Sequence, residues 1–164
     1  MSNIQNVDKG IAAAIGRIPS GLFILTAVHE TKRTGALVSW VQQVGFKPPT
    51  ISVAVGQDRP VMGLIEGSRR FALCQVPQED KVLLRKFAAG VTEGEDPFAD
   101  MPLVETSDFA VPVLADSLSY MTCELAAHVV VQADHDLIIG TVVAGALNGD
   151  GEPFVHLREN GLKY

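Results

Sequence analysis

The sequence predicts a mainly β fold, a barrel with accessory helices, and three observations lead there. About seven runs read as strands, because apolar residues alternate with polar ones or because β-branched and aromatic residues follow one another. Most connections between these runs are short and carry Gly, Pro, Asn or Asp. The two or three helical stretches do not alternate with the strands, so a wound parallel sheet is not expected.

In chain order, Val7, Ile11, Ala14 and Ile15 recur at helical spacing, with Asp8 and Lys9 on the polar side, and Pro19 and Gly21 end that helix. Leu22 to Val28 is rich in strand formers, and the polar segment Glu30 to Gly35 turns it into a hairpin with the apolar stretch Ala36–Val44. Pro48 and Pro49 forbid helix before Ile51, Val53 and Val55, which alternate with Ser52 and Ala54 as a strand does. Asp58 is placed to cap a short helix from Arg59 to Glu66, with Pro60 in its first turn and Gly67 as its stop. Phe71–Val76 is a further strand. A helix follows from Pro77 and Gln78 through Ala89, with Val82, Leu83 and Phe87 as its apolar face and Gly90 as its stop. Residues 91–108 lack periodicity and read as a long surface loop. Leu118–Ala133 and Leu137–Leu147 form a hairpin around Asp134-His135-Asp136, Asn148 to Gly151 turn the chain, and Pro153–Leu157 is the last strand.

The 164 residues, 47% of them hydrophobic, match one domain with a substantial core, and nothing divides them, so residues 1–164 are expected to form a single domain. With Lys+Arg 13 against Asp+Glu 19, the net charge of -6 argues against a nucleic-acid partner. Cys74 and Cys123 stand apart without clustered histidines, so they read as small buried hydrophobes and not as a zinc site. The polar start of the chain lacks the pattern of a secretory signal, and every apolar run is interrupted well short of the ~20 residues a membrane helix needs. The expected location is cytoplasmic.

No serine-nucleophile elbow, zinc-protease helix motif, phosphate-binding Gly-Lys loop or dinucleotide Gly-x-Gly-x-x-Gly is present. A chain so lacking in nucleophiles and metal ligands either binds a group that brings its own reactivity or is not an enzyme. The segment Gly35-Ala-Leu-Val-Ser-Trp40-Val-Gln-Gln-Val-Gly-Phe-Lys-Pro-Pro-Thr50-Ile-Ser-Val-Ala-Val-Gly56-Gln-Asp-Arg59 resembles the signature of the flavin reductase family with the FMN-binding split barrel. The likeness continues in order through Leu64-Ile-Glu-Gly-Ser, Phe71-Ala-Leu-Cys-Gln-Val, Asp96-Pro-Phe98, Cys123-Glu, Asp134-His-Asp-Leu-Ile-Ile-Gly140 and Asp150-Gly-Glu-Pro153, and covers the chain from about Pro19 onward.

The resemblance implies a split β-barrel of Greek-key type and a homodimer with FMN or FAD at the subunit interface. It assigns the flavin ring to the loop Leu37, Val38, Ser39 and Trp40 and to the strand end Val55, Gly56 and Gln57. Peptide N–H and C=O groups suffice for the ring edge, which is why such a site looks empty in sequence. Val38 and Val55 would cover the ring face, and Arg59 would meet a phosphate. The implied reaction is hydride transfer from C4 of NADH or NADPH to N5 of the flavin, with no side chain as acid or base. His135 is the candidate for positioning the nicotinamide. The family's usual Met-Thr-Ala-Ser-Trp is here Ala36-Leu37-Val38-Ser39-Trp40, and its Thr and His after the arginine give way to Val61, Met62 and Gly63, with Met62 beside the expected cofactor.

Taken alone, Trp40 reads as a core residue, Asp134-His135-Asp136 as a solvated turn and Arg59 as a surface charge. His29, His128 and His156 read as structural. One functional reading is an NAD(P)H-dependent flavin reductase that supplies reduced flavin to a partner oxygenase or another acceptor protein. The second is a flavin-binding electron-transfer or storage protein that does not oxidise nicotinamide, and the third a dimeric β-barrel binding module with no redox cofactor.

Overall fold

A computed structural model describes residues 9–92, 94–105 and 110–163. Their elements run α1 (Lys9–Gly16), β1 (Ser20–Gly21), β2 (Phe23–His29), β3 (Lys32–Val38), β4 (Val41–Phe46), β5 (Pro49–Gly56), α2 (Val61–Ser68), β6 (Arg70–Gln75), α3 (Lys81–Ala88), β7 (Ser119–Val129), β8 (His135–Leu147) and β9 (Val155–His156). A seven-stranded antiparallel sheet has the order β3-β2-β6-β7-β8-β5-β4, while β1 and β9 form a small separate pair. The two edge strands β3 and β4 are consecutive in the chain, joined only through Ser39 and Trp40. The three Cα steps from Val38 to Val41 reach at most about 11 Å. The sheet therefore curls until its edges meet, and it stays split along that seam, since β3 and β4 do not pair. This is the predicted split barrel.

The barrel interior is packed by Leu25, Ala27, Val53, Val55, Phe71, Leu73 and Ile138 and plugged at one end by Val61, Met62 and Ile65 of α2. A second core lies on the outer face of β2 and β6, where Ile24, Ala72 and Cys74 meet Leu83 and Phe87 of α3 and Phe98, Val113 and Leu114 of the long connection. Burial on both faces explains why residues 22–27 read as a nearly continuous apolar run. Each large core side chain, such as the fully buried Phe71, is worth about 1.5–3 kcal/mol. Both cysteines are free and buried. Burial pushes the Cys74 thiol up to about 11 and that of Cys123 up to about 12, which leaves them unreactive and agrees with their reading as hydrophobes.

Several local expectations are corrected. The first hairpin turns at Glu30 and Thr31 alone, with Glu30 at φ 54°, and Lys32 to Gly35 pair with β2 instead of looping out. In α1, Ala12 and Gly16 face the protein while Ile11 is exposed, because Gly16 sits against the Arg158 carbonyl where no side chain fits; Val7 and Asp8 lie outside the described residues. Pro60, without a side-chain cap, starts α2, so Asp58 does not cap it. That helix stops at Arg69 in the left-handed region (φ 62°), not at Gly67. The strain of Arg69 is offset by its N–H donating to the Ile65 carbonyl (2.8 Å) and its guanidinium donating to the Leu125 carbonyl (3.2 Å). Helix α3 begins at Lys81, where Asp80 Oδ1 accepts from the N–H groups of Val82 (2.9 Å) and Leu83 (3.0 Å), and Val82 points to solvent while Leu83 and Phe87 face inward. Gly90, at φ 82°, does follow its end.

The connection after α3 has no helix or regular strand among its described residues, as expected, yet it is pinned. Phe98 is buried, Leu103 bridges Leu114, and Thr26 Oγ1 donates to the Pro112 carbonyl (2.6 Å). Arg33 of β3 donates to Asp96 (Nε to Oδ1, 2.8 Å) and lies over the Phe98 ring. Gly140 of β8 shows how closely the barrel packs. A Cβ there would come within 2.4 Å of the Phe71 ring and 3.0 Å of Cys123 Cβ. Gly140→Ala is expected to lower the urea midpoint by an equivalent of about 1–3 kcal/mol through overpacking; an unchanged midpoint would show that the Phe71 ring yields freely.

Candidate functional site

At the end of β3, beside its link to β4, lies a cavity of about 360 Å³, within the range of small-molecule sites. Its wall brings together three segments far apart in sequence. Ala36, Leu37, Val38 and Ser39 come from the end of β3, Ala54, Val55, Gly56 and Arg59 from the end of β5 and the turn after it, and His135 from the start of β8. They meet because β5 pairs antiparallel with β8, with Val55 opposite Asp136 and Gly56 opposite His135, so both strands present the same end of the barrel.

Seven of the predicted site residues therefore line one cavity: Leu37, Val38, Ser39, Val55, Gly56, Arg59 and His135. Val38 and Val55 are also core residues, 5% and 1% exposed. The other three, Trp40, Gln57 and Met62, do not line the cavity. Trp40 tilts against His135, ring centroids 4.7 Å apart, and carries the Arg158 guanidinium 5.2 Å from its own centroid. Gln57 turns its side chain to Asp136 (Nε2 to Oδ1, 2.9 Å) and its N–H to the Asp134 carbonyl (3.1 Å), so that peptide donor is already engaged within the chain. Met62 is buried in the barrel core on α2, not at the cavity.

Leu22, Leu84, Phe87, Ala88, Phe154 and His156 also line the cavity, and no sequence signal assigned them to it. Phe154 is held where its N–H donates to the Val76 carbonyl (3.1 Å), and His156 by pairing with Ser20. That pairing, between strands of two residues each, corrects the longer Pro153–Leu157 strand and gives His156 a place on the cavity wall. His29 packs against α2 at Gly67, in keeping with its structural reading.

The lining is apolar on its broad walls and polar at Ser39, Arg59, His135 and His156, a combination suited to a flat, partly apolar ligand ending in an anion. His135 is further oriented by Asp134, Nδ1 to Oδ1 3.0 Å, and this contact holds the Asp134 carboxyl below its ordinary range. Asp136, 6% exposed, accepts from Gln57, from His128 Nε2 (2.9 Å) and from the Val131 N–H (3.2 Å). Those hydrogen bonds, the one from Gln57 foremost, hold its carboxyl below the usual value. The residues present fit a flavin: strand ends around a largely apolar cavity, with Arg59 an exposed cation at its wall. No group of histidine, cysteine or acidic side chains suited to a metal occurs among the described residues, nor any helix long and apolar enough to cross a membrane.

Comparison with known proteins agrees with this arrangement. The flavin reductase like domain matches residues 15–161. A diflavin flavoprotein from Synechocystis sp. is 32% identical over 166 residues, covering 100% of this chain and 29% of that protein. The chain thus spans less than a third of the length of the curated relatives it matches. Among solved structures, the NADH:FAD oxidoreductase of Streptomyces globisporus superposes with a TM-score of 0.79 at 20% identity, covering 88% of this chain and 86% of that one. The flavin reductase PheA2 gives 0.78 at 22% identity, covering 93% and 94%. At such identities the superpositions speak for a shared fold. The sequence match, which runs from the end of α1 through every strand of the split barrel and every residue at the cavity, decides the family: the chain belongs to the flavin reductase like domain family.

Proposed function

We propose that the chain is an NAD(P)H-dependent flavin reductase that binds FMN or FAD in this cavity. The observation that carries this reading is the convergence of β3, β5 and β8 on one cavity within a chain of this family. A flavin bound there supplies the redox chemistry, accepting a hydride from the nicotinamide. The protein's own part is binding, orientation and exclusion of water. Leu37, Leu84 and Phe87 provide apolar cover, in place of the core side chains of Val38 and Val55, Arg59 a cation at the rim, and His135, steadied by Asp134 and Trp40, a polar group for the nicotinamide. The names of the relatives, a diflavin flavoprotein and an NADH:FAD oxidoreductase, support the flavin and the nicotinamide respectively.

The reading includes a homodimer. Val143 and Leu147 of β8, Val44 and Phe46 of β4, and Val130 between β7 and β8 are exposed by 44–83%. Such apolar side chains gain by being covered in a second copy. The electrons would pass to an oxygenase or another acceptor protein. A second reading, electron transfer or storage without nicotinamide oxidation, draws on Leu37, which puts an aliphatic side chain on the cavity wall where the family usually carries a hydroxyl.

Titration with FMN and then FAD, followed by anaerobic NADH or NADPH, tests the proposal. Binding and bleaching are expected; binding without bleaching would transfer the assignment to electron transfer or storage, and no binding would end both. His135→Ala is expected to raise KM for the nicotinamide about tenfold, the scale of one charge-assisted or well-placed hydrogen bond, while flavin affinity changes little. Sedimentation should give twice the mass of the chain, and a monomer would remove the dimer.

A further inference from the structure

Behind the cavity wall lies a cluster that the reductase reading does not use. His128 of β7 sits between two carboxylates: its Nδ1 is 2.7 Å from Glu66 Oε1 of α2 and its Nε2 is 2.9 Å from Asp136 Oδ2 of β8. A neutral imidazole carries one N–H, so it can donate to only one of two carboxylates, and the other must face a ring lone pair. The geometry is therefore that of an imidazolium donating at both nitrogens. The ring is 23% exposed, Glu66 52% and Asp136 9%, which makes Asp136 the partner least able to turn to water. Around the ring, the charged groups are Glu66 from α2 and Asp136 from β8; Gln57 from beyond β5 is neutral, and Arg69 at the end of α2 is engaged at the Leu125 carbonyl.

Asp136 carries this clamp to the cavity. Its carboxylate also holds the Gln57 side chain and the Val131 N–H, and so ties together the end of β5, the turn between β7 and β8 and the start of β8. The next residue back is His135, tilted against Trp40 at the cavity. We propose that His128 is a positioning residue, and that its doubly protonated ring, bridging Glu66 of α2 and Asp136, steadies the start of β8 beyond what strand pairing alone gives, so that His135 stays against Trp40. Loss of one ring proton leaves a single N–H for two carboxylates: it stays on the buried Asp136, the exposed Glu66 of α2 turns to water, and the bridge from α2 through β7 to β8 opens. The hydrogen bond to Asp136, and after it Glu66, holds the proton on His128 above the ordinary histidine range. Because the folded value is raised, the stabilisation is complete below the unfolded value of about 6.5 and is lost as the pH rises through the folded one. At the acid end it is lost as the pH falls through the depressed value of Asp136.

The functional consequence rests on the flavin reading of the cavity, but the clamp is testable without any flavin. Trp40, the single tryptophan, reports on the ring beside it. The experiment follows Trp40 emission and the His128 ring resonances of the flavin-free protein from about pH 5 to about pH 10, spanning the ordinary histidine range. The expected result is an emission step whose midpoint coincides with His128 titration above the ordinary value. In Glu66→Gln, which keeps an acceptor, the step should move to lower pH; in His128→Gln the step above the ordinary histidine range should vanish. A thermal midpoint should show wild type ahead of His128→Gln near neutral pH and level with it at alkaline pH. A step above the ordinary histidine range that survives in His128→Gln, or a His128 that titrates below that range, overturns the proposal. Flavin titration of the same samples separates the two readings: failure to bind flavin with the emission step intact sinks the reductase assignment alone, whereas flavin binding with no His128-dependent step sinks the clamp alone.

Discussion

The two residues between Val38 and Val41 impose the constraint from which most of the structure follows. They join the outermost strands of a seven-stranded sheet, and a link that short forces the sheet to roll up. Rolling encloses the apolar faces of β2, β5, β6 and β8 as a barrel core, and α2 closes one end with Val61, Met62 and Ile65. Because β3 and β4 do not pair, the barrel keeps a slot at that link. The cavity lies beside that link, and its polar groups sit at or just beyond strand ends: Ser39, Arg59, His135 and His156.

The outer face of β2 and β6 has a different role. A barrel strand needs only one buried face, yet β2 is buried on both, because α3 and Phe98, Val113 and Leu114 of the connection after it lie across it. Thr26, a buried hydroxyl in this strand, is satisfied by the Pro112 carbonyl, and the Arg33 pair with Asp96 fastens the same connection to β3. This packing brings Phe87 and Leu84 of α3 to the cavity, so the outer layer contributes both stability and part of the site's wall.

Polar groups near the site are few and their protons well placed. Asp136 is the most buried carboxylate among the described residues and has a donor from each of three segments. A buried charge is tolerated only when so paired. Its partners explain features that a sequence presents as unrelated: a glutamine after β5, a histidine in β7 and a glutamate on α2. His128, read from sequence as structural, does carry structural hydrogen bonds, but toward two acids that lie 62 and 8 positions away.

Much of the fold was legible because local pattern and burial agree. Ile51, Val53 and Val55 alternate as expected and all point into the core, and the long hairpin of β7 and β8 forms. Yet β7 already ends at Val129, and His135 and Asp136, read as part of its turn, belong to β8, where they pair with Gly56 and Val55. Errors fell where backbone conformation was set by a distant contact, as at Gly67, kept free of a side chain by the His29 ring, and at Gly16, kept free by the Arg158 carbonyl. The ordered motifs from Gly35 to Arg59 and at His135 were enough to name three cavity segments. By itself, then, the sequence determined the β class, the family and the strand ends that bear the candidate site, since alternation, turn residues and motif order are local properties. Only the tertiary structure decided that Phe154 and His156 join the cavity, that Gln57 and Trp40 turn to chain partners, and that His128 bridges two acids. Those outcomes depend on strand register and on the closing of the roll, which place residues together without any regular spacing along the chain.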